Sequence, residues 1–397
     1  MTDYNYKYLI IGGGMSADAA AHSIRDSDSN GKIGLISNEN DPPYARPPLS
    51  KGLWTGEEEF EDVDLDTSET ELKMHLGRTT TKIDRSKKQV FDDQGNKYSY
   101  TKLLIATGGT PKKLPNVEQE NIIYYRTLSD YKKLKDLVDK KKRFGVIGGS
   151  FIGSEIAAAI KMFKPKADVT MIFPESGICA LIFPKSLSKH LNDYYRKNNI
   201  KVLNNELVIN VIKQENEYLV ETNSGKNLKF DVLIAGLGIK PNVELAKAAN
   251  LNVENGIVVN EYLQTNDPDI YAAGDVAIYH NPALNKNIRM EHEDNALVMG
   301  EIAGQNMAGE QIPYDHLSMF YSDLFELGYE AVGILNSELE MVEDWIESLE
   351  EGVIYYLKEG HVQGVLLWNV WDKVDDAVEL ITEPGPFSPE DLKGRIY

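Results

Sequence analysis

The sequence has 397 residues, enough for more than one hydrophobic core, and its 42% apolar and 26% charged residues exclude a disordered chain. Its 62 acidic and 42 basic residues leave a net charge of -20, a field that repels a phosphate backbone and argues against a nucleic-acid partner. The single cysteine, Cys179, permits neither an intramolecular disulfide nor a CxxC pair, which excludes a reductase working through paired thiols.

In chain order, a polar start runs directly into the apolar Tyr8–Ile11, with no charged leader, apolar core and cleavage site, so the expectation is a cytoplasmic protein. Gly12-Gly13-Gly14-Met15-Ser16-Ala17 follows, then Ala19, Ala20, Ala21 and Ile24 at helical spacing, and a second strand over 32–37. In Gly12-x-Gly14-x-x-Ala17 the first glycine allows a tight turn and the second lets backbone approach a pyrophosphate. The small third residue packs helix against strand. The phosphates then lie at a helix N-terminus, whose free amides and dipole favour negative charge. Alone, the motif is also that of an ordinary glycine-rich turn. The strand before it, the helix after it and Asn38-Glu39 at the end of the second strand point to a dinucleotide site.

Residues 100–104 read as a further strand ending in Ala106-Thr107-Gly108-Gly109, a candidate crossover. Lys132–Arg143, KKLKDLVDKKKR, gathers seven cations and reads as a solvated helix face rather than a docking patch. The strand–glycine–helix–strand plan then returns at Phe144–Ile147, Gly148-Gly149-Ser150-Phe151-Ile152-Gly153, a helix through Ala157–Ile160, and Asp168–Phe173. Ser150, Ser154, Glu155 and four glycines interrupt residues 144–160, so this stretch is no membrane span. Ser150 replaces the usual middle glycine and is small enough to admit phosphate. Glu175 follows the second strand, where a carboxylate bonds the ribose diol of NAD and repels the extra phosphate of NADP; an exposed loop glutamate is the plainer alternative. A matching crossover is expected after Val232–Ala235, at Gly236-Leu237-Gly238, and the chain then returns through 257–263 to Ala273-Gly274-Asp275. From about Leu317 short alternating strands, including Gly352–Lys358 and Val362–Trp368, suggest a third, α+β domain. Two dinucleotide modules without a partnered serine, a metal cluster or a thiol pair leave electron transfer between two dinucleotides as the expected chemistry, one of them a flavin.

Several blocks carry a family resemblance. Pro43-Tyr44-Ala45-Arg46-Pro47-Pro48-Leu49-Ser50-Lys51, Ala106-Thr107-Gly108-Gly109-Thr110-Pro111 and Ala273-Gly274-Asp275 resemble the ferredoxin-reductase-like FAD/NAD(P)-binding flavoproteins. Glu291-His292-Glu293-Asp294-Asn295-Ala296, Ser318–Leu324 and Leu366-Leu367-Trp368-Asn369 resemble the apoptosis-inducing-factor-like branch. The resemblance spans Tyr8 to about Trp371 and implies an α/β fold class: two Rossmann-type dinucleotide-binding domains, for FAD and NAD, plus a C-terminal α+β domain. The expected division is 1–125 and 243–316 for FAD, 126–242 for NAD, and 317–397 at the C-terminus.

By position, the resemblance implies FAD contacts from Gly12, Gly13, Gly14, Met15, Ser16, Asn38, Glu39, Arg46, Lys51, Thr80, Arg126, Asp275, His292, Glu293 and Tyr321. On the nicotinamide side it implies Gly149, Ser150, Phe151, Ile152, Glu175, Gly238, Glu291, His292, Glu330 and Asn369. Lys51, Glu155, Phe151 and His292 are the implied catalytic set: Lys51 near flavin N5, Glu155 holding it, Phe151 covering the ring until NADH displaces it. No metal is implied. Asn38 stands where the family often has an acid on the FAD ribose, so that bond falls to Asn38 or Glu39. Tyr321 replaces a tryptophan, and Leu181 a lysine near the bound nucleotide. The mitochondrial leader, membrane anchor and long insertion of animal members are missing from the sequence, so a cell-death role is not expected. The implied partners are NADH, an electron acceptor that is a quinone, oxygen or a small redox protein, and a second copy in an NADH-dependent homodimer.

Overall fold

The N-terminal strand covers Asp3–Ile11, longer than its apolar run, because Asp3–Tyr6 pair with residues 97–100 along a parallel ladder that side-chain hydropathy does not reveal. The same strand pairs with Ile33–Ile36, which in turn pairs with Lys73–His75. On the other side, Lys97–Ile105 splits its pairing. Leu103–Ile105 runs parallel to Ile270–Ala272, and residues 97–99 lie antiparallel to the Thr80–Asp84/Gln89–Asp92 hairpin. Helix Met15–Ser27 buries Ala17, Ala20, Ala21 and Ile24, an i, i+3, i+4, i+7 stripe, and helix Glu293–Ala308 packs on it.

In the computed structural model, which describes residues 2–115, 117 and 122–397, this sheet and its helices form one compact unit, comprising Met1–Arg46, Phe60–Thr110 and Lys240–Ser318. The second unit comprises Pro47–Glu59, Pro111–Ile239 and Met319–Tyr397.

The second unit repeats the plan. Its parallel sheet runs, in spatial order, Ile200–Asn204, Asp168–Phe173, Arg143–Ile147, Val232–Ala235, Ile123–Tyr124. Helices Leu128–Lys140, Phe151–Phe163 and Lys185–Lys197 accompany it. Thr127 starts the first of these through a capping box with Asp130, which satisfies amides that a helix start leaves without partners. The cation-rich run is therefore helix through Lys140, with Lys132, Lys133 and Lys140 exposed. An antiparallel meander, Val208–Gln214, Glu217–Thr222 and Asn227–Phe230, covers Ile147, Ile172 and Leu233 with Val211, Val220 and Phe230. The C-terminal part is an antiparallel sheet ordered Met319–Leu324, Leu327–Gly333, His361–Trp368, Glu351–Lys358, Glu340–Glu347. Phe183 joins it to the rest of the unit, edge-on to Tyr329 at 5.2 Å and to Trp368 at 5.7 Å. Among the described residues no helix is long and apolar enough to cross a membrane.

Candidate functional site

In the first unit the site begins where strands Asp3–Ile11 and Lys97–Ile105 end side by side. Gly12 has φ +128°, and a Cβ there would lie 2.1 Å from the carbonyl oxygen of Ala106. The two strand ends meet backbone to backbone at the point where strand order reverses, the crevice in which open α/β sheets bind ligands. Gly14 is the N-cap of helix Met15–Ser27 and leaves its first amides without a side-chain cap. A Cβ on Gly14 would meet the Arg46 guanidinium at 3.9 Å and nothing else within 4 Å, so the helix start is open to an anion.

Of the two strand-end candidates, Asn38 is exposed. Glu39 is half-buried and accepts hydrogen bonds from the Tyr44 hydroxyl (2.5 Å) and Arg46 Nη2 (2.7 Å). Desolvation opposes the Arg46 charge, but Tyr44, Glu39 and Asp275 outweigh it and raise the guanidinium above its ordinary pKa. Thr80 carries a buried hydroxyl without a hydrogen-bond partner among the described residues, the kind of orphan that a ligand satisfies. Asp275 follows Ile270–Ala272 in a single turn, held by Arg289, which donates to its carbonyl at 2.9 Å. Glu291 pairs with the same Arg289 at 2.6 Å. His292 is the N-cap of helix Glu293–Ala308, with Glu293 at the favourable end of its dipole. The open amide end, the acid at the strand end and the orphaned hydroxyl fit an adenine dinucleotide such as FAD.

The second unit builds a parallel cradle. Gly148 has φ +117°, and a Cβ there would lie 2.2 Å from the carbonyl oxygen of Gly236, again uniting a strand end with its crossover. Ser150 is the N-cap of helix Phe151–Phe163, yet its side chain makes no capping bond, so these first-turn amides also face outward uncapped by a side chain. Gly149 accepts the Cys179 amide at 2.7 Å. The Cys179 thiol is buried, which pushes its pKa up to about 12, so it supports the loop and is no thiolate. Glu175 is half-buried two residues beyond strand Asp168–Phe173; Gly238 turns with φ +76°; Ile152 and Leu181 are exposed. Phe151 packs edge-on against Phe320 at 5.8 Å. Arg126, just before helix Leu128–Lys140, is anchored through its amide to Asp130. Glu330 has one carboxylate oxygen buried without a partner among the described residues; desolvation, reinforced by Asp372, raises its pKa. Asn369 turns back on itself with φ +51°, accepting the Gly328 amide at 2.8 Å and donating to the Glu350 carbonyl at 2.6 Å.

The second unit also brings Lys51 and Glu155 together, 104 positions apart. The turn Pro47–Ser50 and helix Gly52–Thr55 carry Lys51, and the Leu49 carbonyl is fixed by Trp54 Nε1 (2.7 Å) and by the Tyr125 hydroxyl. Lys51 Nζ lies 3.7 Å from Glu155 Oε1, with the two side chains 12% and 6% exposed. The ammonium donates to the Tyr321 carbonyl at 3.2 Å and stands 3.7 Å from the centre of its ring. Asp323 lies near this pair: desolvation raises its carboxyl above the ordinary value, Lys51 pulls it down, and Glu155 pushes it up. Two residues that reading the sequence did not single out complete the cluster, Ser50 and Ser322, which donate to Glu155 at 2.6 and 2.7 Å. Ser50 lies in the Pro43–Lys51 motif and Ser322 in the Ser318–Leu324 motif, but nothing in their spacing from Glu155 reveals the bonds.

The chain matches the family model for pyridine nucleotide-disulphide oxidoreductases over residues 6–300, and that for the mitochondrion-associated C-terminal part of apoptosis-inducing factor over residues 303–348. It is 36% identical to apoptosis-inducing factor 1, mitochondrial, of Dictyostelium discoideum, across 95% of this chain and 78% of that protein. It is 29% identical to the putidaredoxin reductase of Pseudomonas putida, across 97% of this chain and 94% of that one. Among solved structures, a covalent putidaredoxin reductase–putidaredoxin complex superposes with a TM-score of 0.88, at 29% identity, over 98% of this chain and 95% of the matched chain.

Proposed function

The chain belongs to the pyridine nucleotide-disulphide oxidoreductase family, as an apoptosis-inducing-factor-like FAD- and NAD(P)-binding oxidoreductase, and from that premise we propose that it oxidises NADH and passes the electrons to a quinone, to oxygen or to a small redox protein. The observation that carries this reading is the pair of glycine cradles without side-chain caps, at Gly12 and Gly148, each at the crossover of its own sheet. We assign FAD to residues 1–125 and 243–316, the nicotinamide dinucleotide to 126–242, and 317–397 to a third domain. Bound FAD supplies the two-electron chemistry, accepting hydride from NADH and delivering electrons singly or in pairs. The sequence holds one cysteine, so the disulphide chemistry in the family's name has no second thiol in this sequence.

The remaining work is positioning. The amides after Gly14 and Ser150 would each hold a pyrophosphate, Glu39 or Asn38 and Glu175 would hold the ribose hydroxyls, and Phe151 would shield the flavin until the nicotinamide takes its place. The Lys51 ammonium would stabilise negative charge on the reduced flavin. An anaerobic titration with NADH tests the whole: the purified protein should be yellow, bleach with one equivalent of NADH, and regain colour when an acceptor is added. A protein that takes up no FAD rejects the assignment. Reoxidation far slower than about 1 per second, with a change of mass on reduction, would favour an NADH-driven dimerisation switch over turnover.

Glu175 sets the choice of nicotinamide in this reading. Wild-type protein should bleach faster with NADH than with NADPH, and Glu175→Ala should narrow that ratio about tenfold, the effect of removing roughly 1.4 kcal/mol of discrimination, while FAD content stays the same. Stopped-flow rates with both cofactors measure it; equal wild-type rates would make Glu175 a bystander.

A further inference from the structure

Glu155 is a buried carboxylate whose two oxygens are each claimed by a hydroxyl: Oε2 by Ser50 at 2.6 Å and Oε1 by Ser322 at 2.7 Å. These lengths are those of charge-assisted O–H···O bonds. The Lys51 ammonium, by contrast, stands 3.7 Å from Oε1, outside N–H···O range, and makes its hydrogen bond to the Tyr321 carbonyl instead. The arrangement follows from chain adjacency. Ser50 immediately precedes Lys51, and Ser322 immediately follows Tyr321 on strand Met319–Leu324, where alternation buries Ser322 and leaves Tyr321 exposed. One carboxylate on helix Phe151–Phe163 therefore ties down both the segment that carries Lys51 and the strand whose Tyr321 carbonyl accepts from its ammonium.

We propose that Ser50 and Ser322 are positioning residues that hold the Glu155 carboxylate away from Lys51, so that it balances the ammonium's charge without taking its hydrogen bond. The inference rests on the reading that Lys51 faces the flavin. Without the two hydroxyls the Lys51 ammonium is the donor nearest at hand for the carboxylate among the described residues, and closing the 3.7 Å gap to about 2.8 Å would form a direct ion pair. A directly paired ammonium offers less to the negative charge of the reduced flavin. The plainer role, satisfying a buried carboxylate, predicts lower stability but an unaltered flavin potential.

The test compares the FAD-loaded wild type, Ser50→Ala, Ser322→Ala and the double variant, each with Lys51 and in the Lys51→Met background, reading flavin potential and the melting temperature of FAD-free protein. The double variant should shift the oxidised–reduced equilibrium about tenfold toward oxidised flavin, about 30 mV for a two-electron couple. Each single variant should shift it less, and Ser50→Thr with Ser322→Thr, which keep the hydroxyls, should restore it. In the Lys51→Met background the serine changes should still lower the melting temperature but leave the potential where Lys51→Met put it. Wild-type potentials in the serine variants, or equal shifts with and without Lys51, overturn the proposal; if the double variant does not fold, the two single variants decide by the same criterion. A Lys51→Met protein with wild-type potential instead removes the reading on which the proposal rests, a result distinct from a shift at Lys51 with none at the serines.

Discussion

Gly12→Ala is expected to cost the protein most of its FAD and to lower its stability by about 3 kcal/mol, the joint effect of a non-glycine residue at an unfavourable positive φ and a buried clash. The added Cβ would sit 2.1 Å from the Ala106 carbonyl oxygen, and that atom belongs to backbone at a strand end, so it cannot swing aside as a side chain would. Relieving the contact means prying apart strands Asp3–Ile11 and Lys97–Ile105 at the crossover, where the pyrophosphate would lie. Gly95→Ala is the control. Gly95 also has positive φ, at +76°, but nothing lies within 4 Å of its missing Cβ, so that variant should lose only about 1 kcal/mol and keep its FAD. Visible absorbance per protein and thermal unfolding of both variants measure the difference. Full FAD occupancy in Gly12→Ala would mean that the crossover at Gly12 does not hold the flavin's phosphates.

That such a position could be named from the sequence reflects how local its causes are. The glycine loops at Gly12 and Gly148, the strands feeding them and the helices after them are fixed by residues within about a dozen positions, and strand Asp168–Phe173 and strand Val232–Ala235 fall where the apolar runs place them. The resemblance extended this to the Lys51–Glu155 pair, which no periodicity could disclose. What stayed hidden is set by partners distant in the chain. The hairpin Thr80–Asp84/Gln89–Asp92 is too polar to announce itself and exists because it finds a paired edge on Lys97–Ser99. The serine hydroxyls on Glu155 come from sites 105 and 167 positions away. Asn369 reads as a ligand contact, yet its amide is engaged by the Gly328 and Glu350 backbone, a contact that depends on how strands Leu327–Gly333 and His361–Trp368 turn.

Lys51 and Glu155 should fail unequally when removed one at a time, and the inequality follows from who else holds each of them. Glu155→Ala leaves a mostly buried ammonium with a carbonyl and an aromatic ring but no counter-charge, so it should destabilise by about 3–5 kcal/mol, the range for breaking a buried pair. Lys51→Met leaves the carboxylate its two serine donors and fills similar volume, so the loss should be smaller, about 1–2 kcal/mol. Function should rank the other way. If Lys51 faces the flavin as proposed, Lys51→Met takes away a positive charge beside it and should make the potential more negative and slow bleaching by NADH at least about tenfold, roughly 1.4 kcal/mol in the barrier. Glu155→Ala frees that charge and should move the potential little or in the positive direction. In a double-mutant cycle the two changes should couple by about 0.5–3 kcal/mol, because each alters what the other's partner faces. Denaturant unfolding, spectroelectrochemistry and stopped-flow reduction, made on the same four proteins, supply all three comparisons. Strict additivity in potential and rate, with FAD retained throughout, would reduce the pair to an ion pair of the fold with no part in governing the flavin.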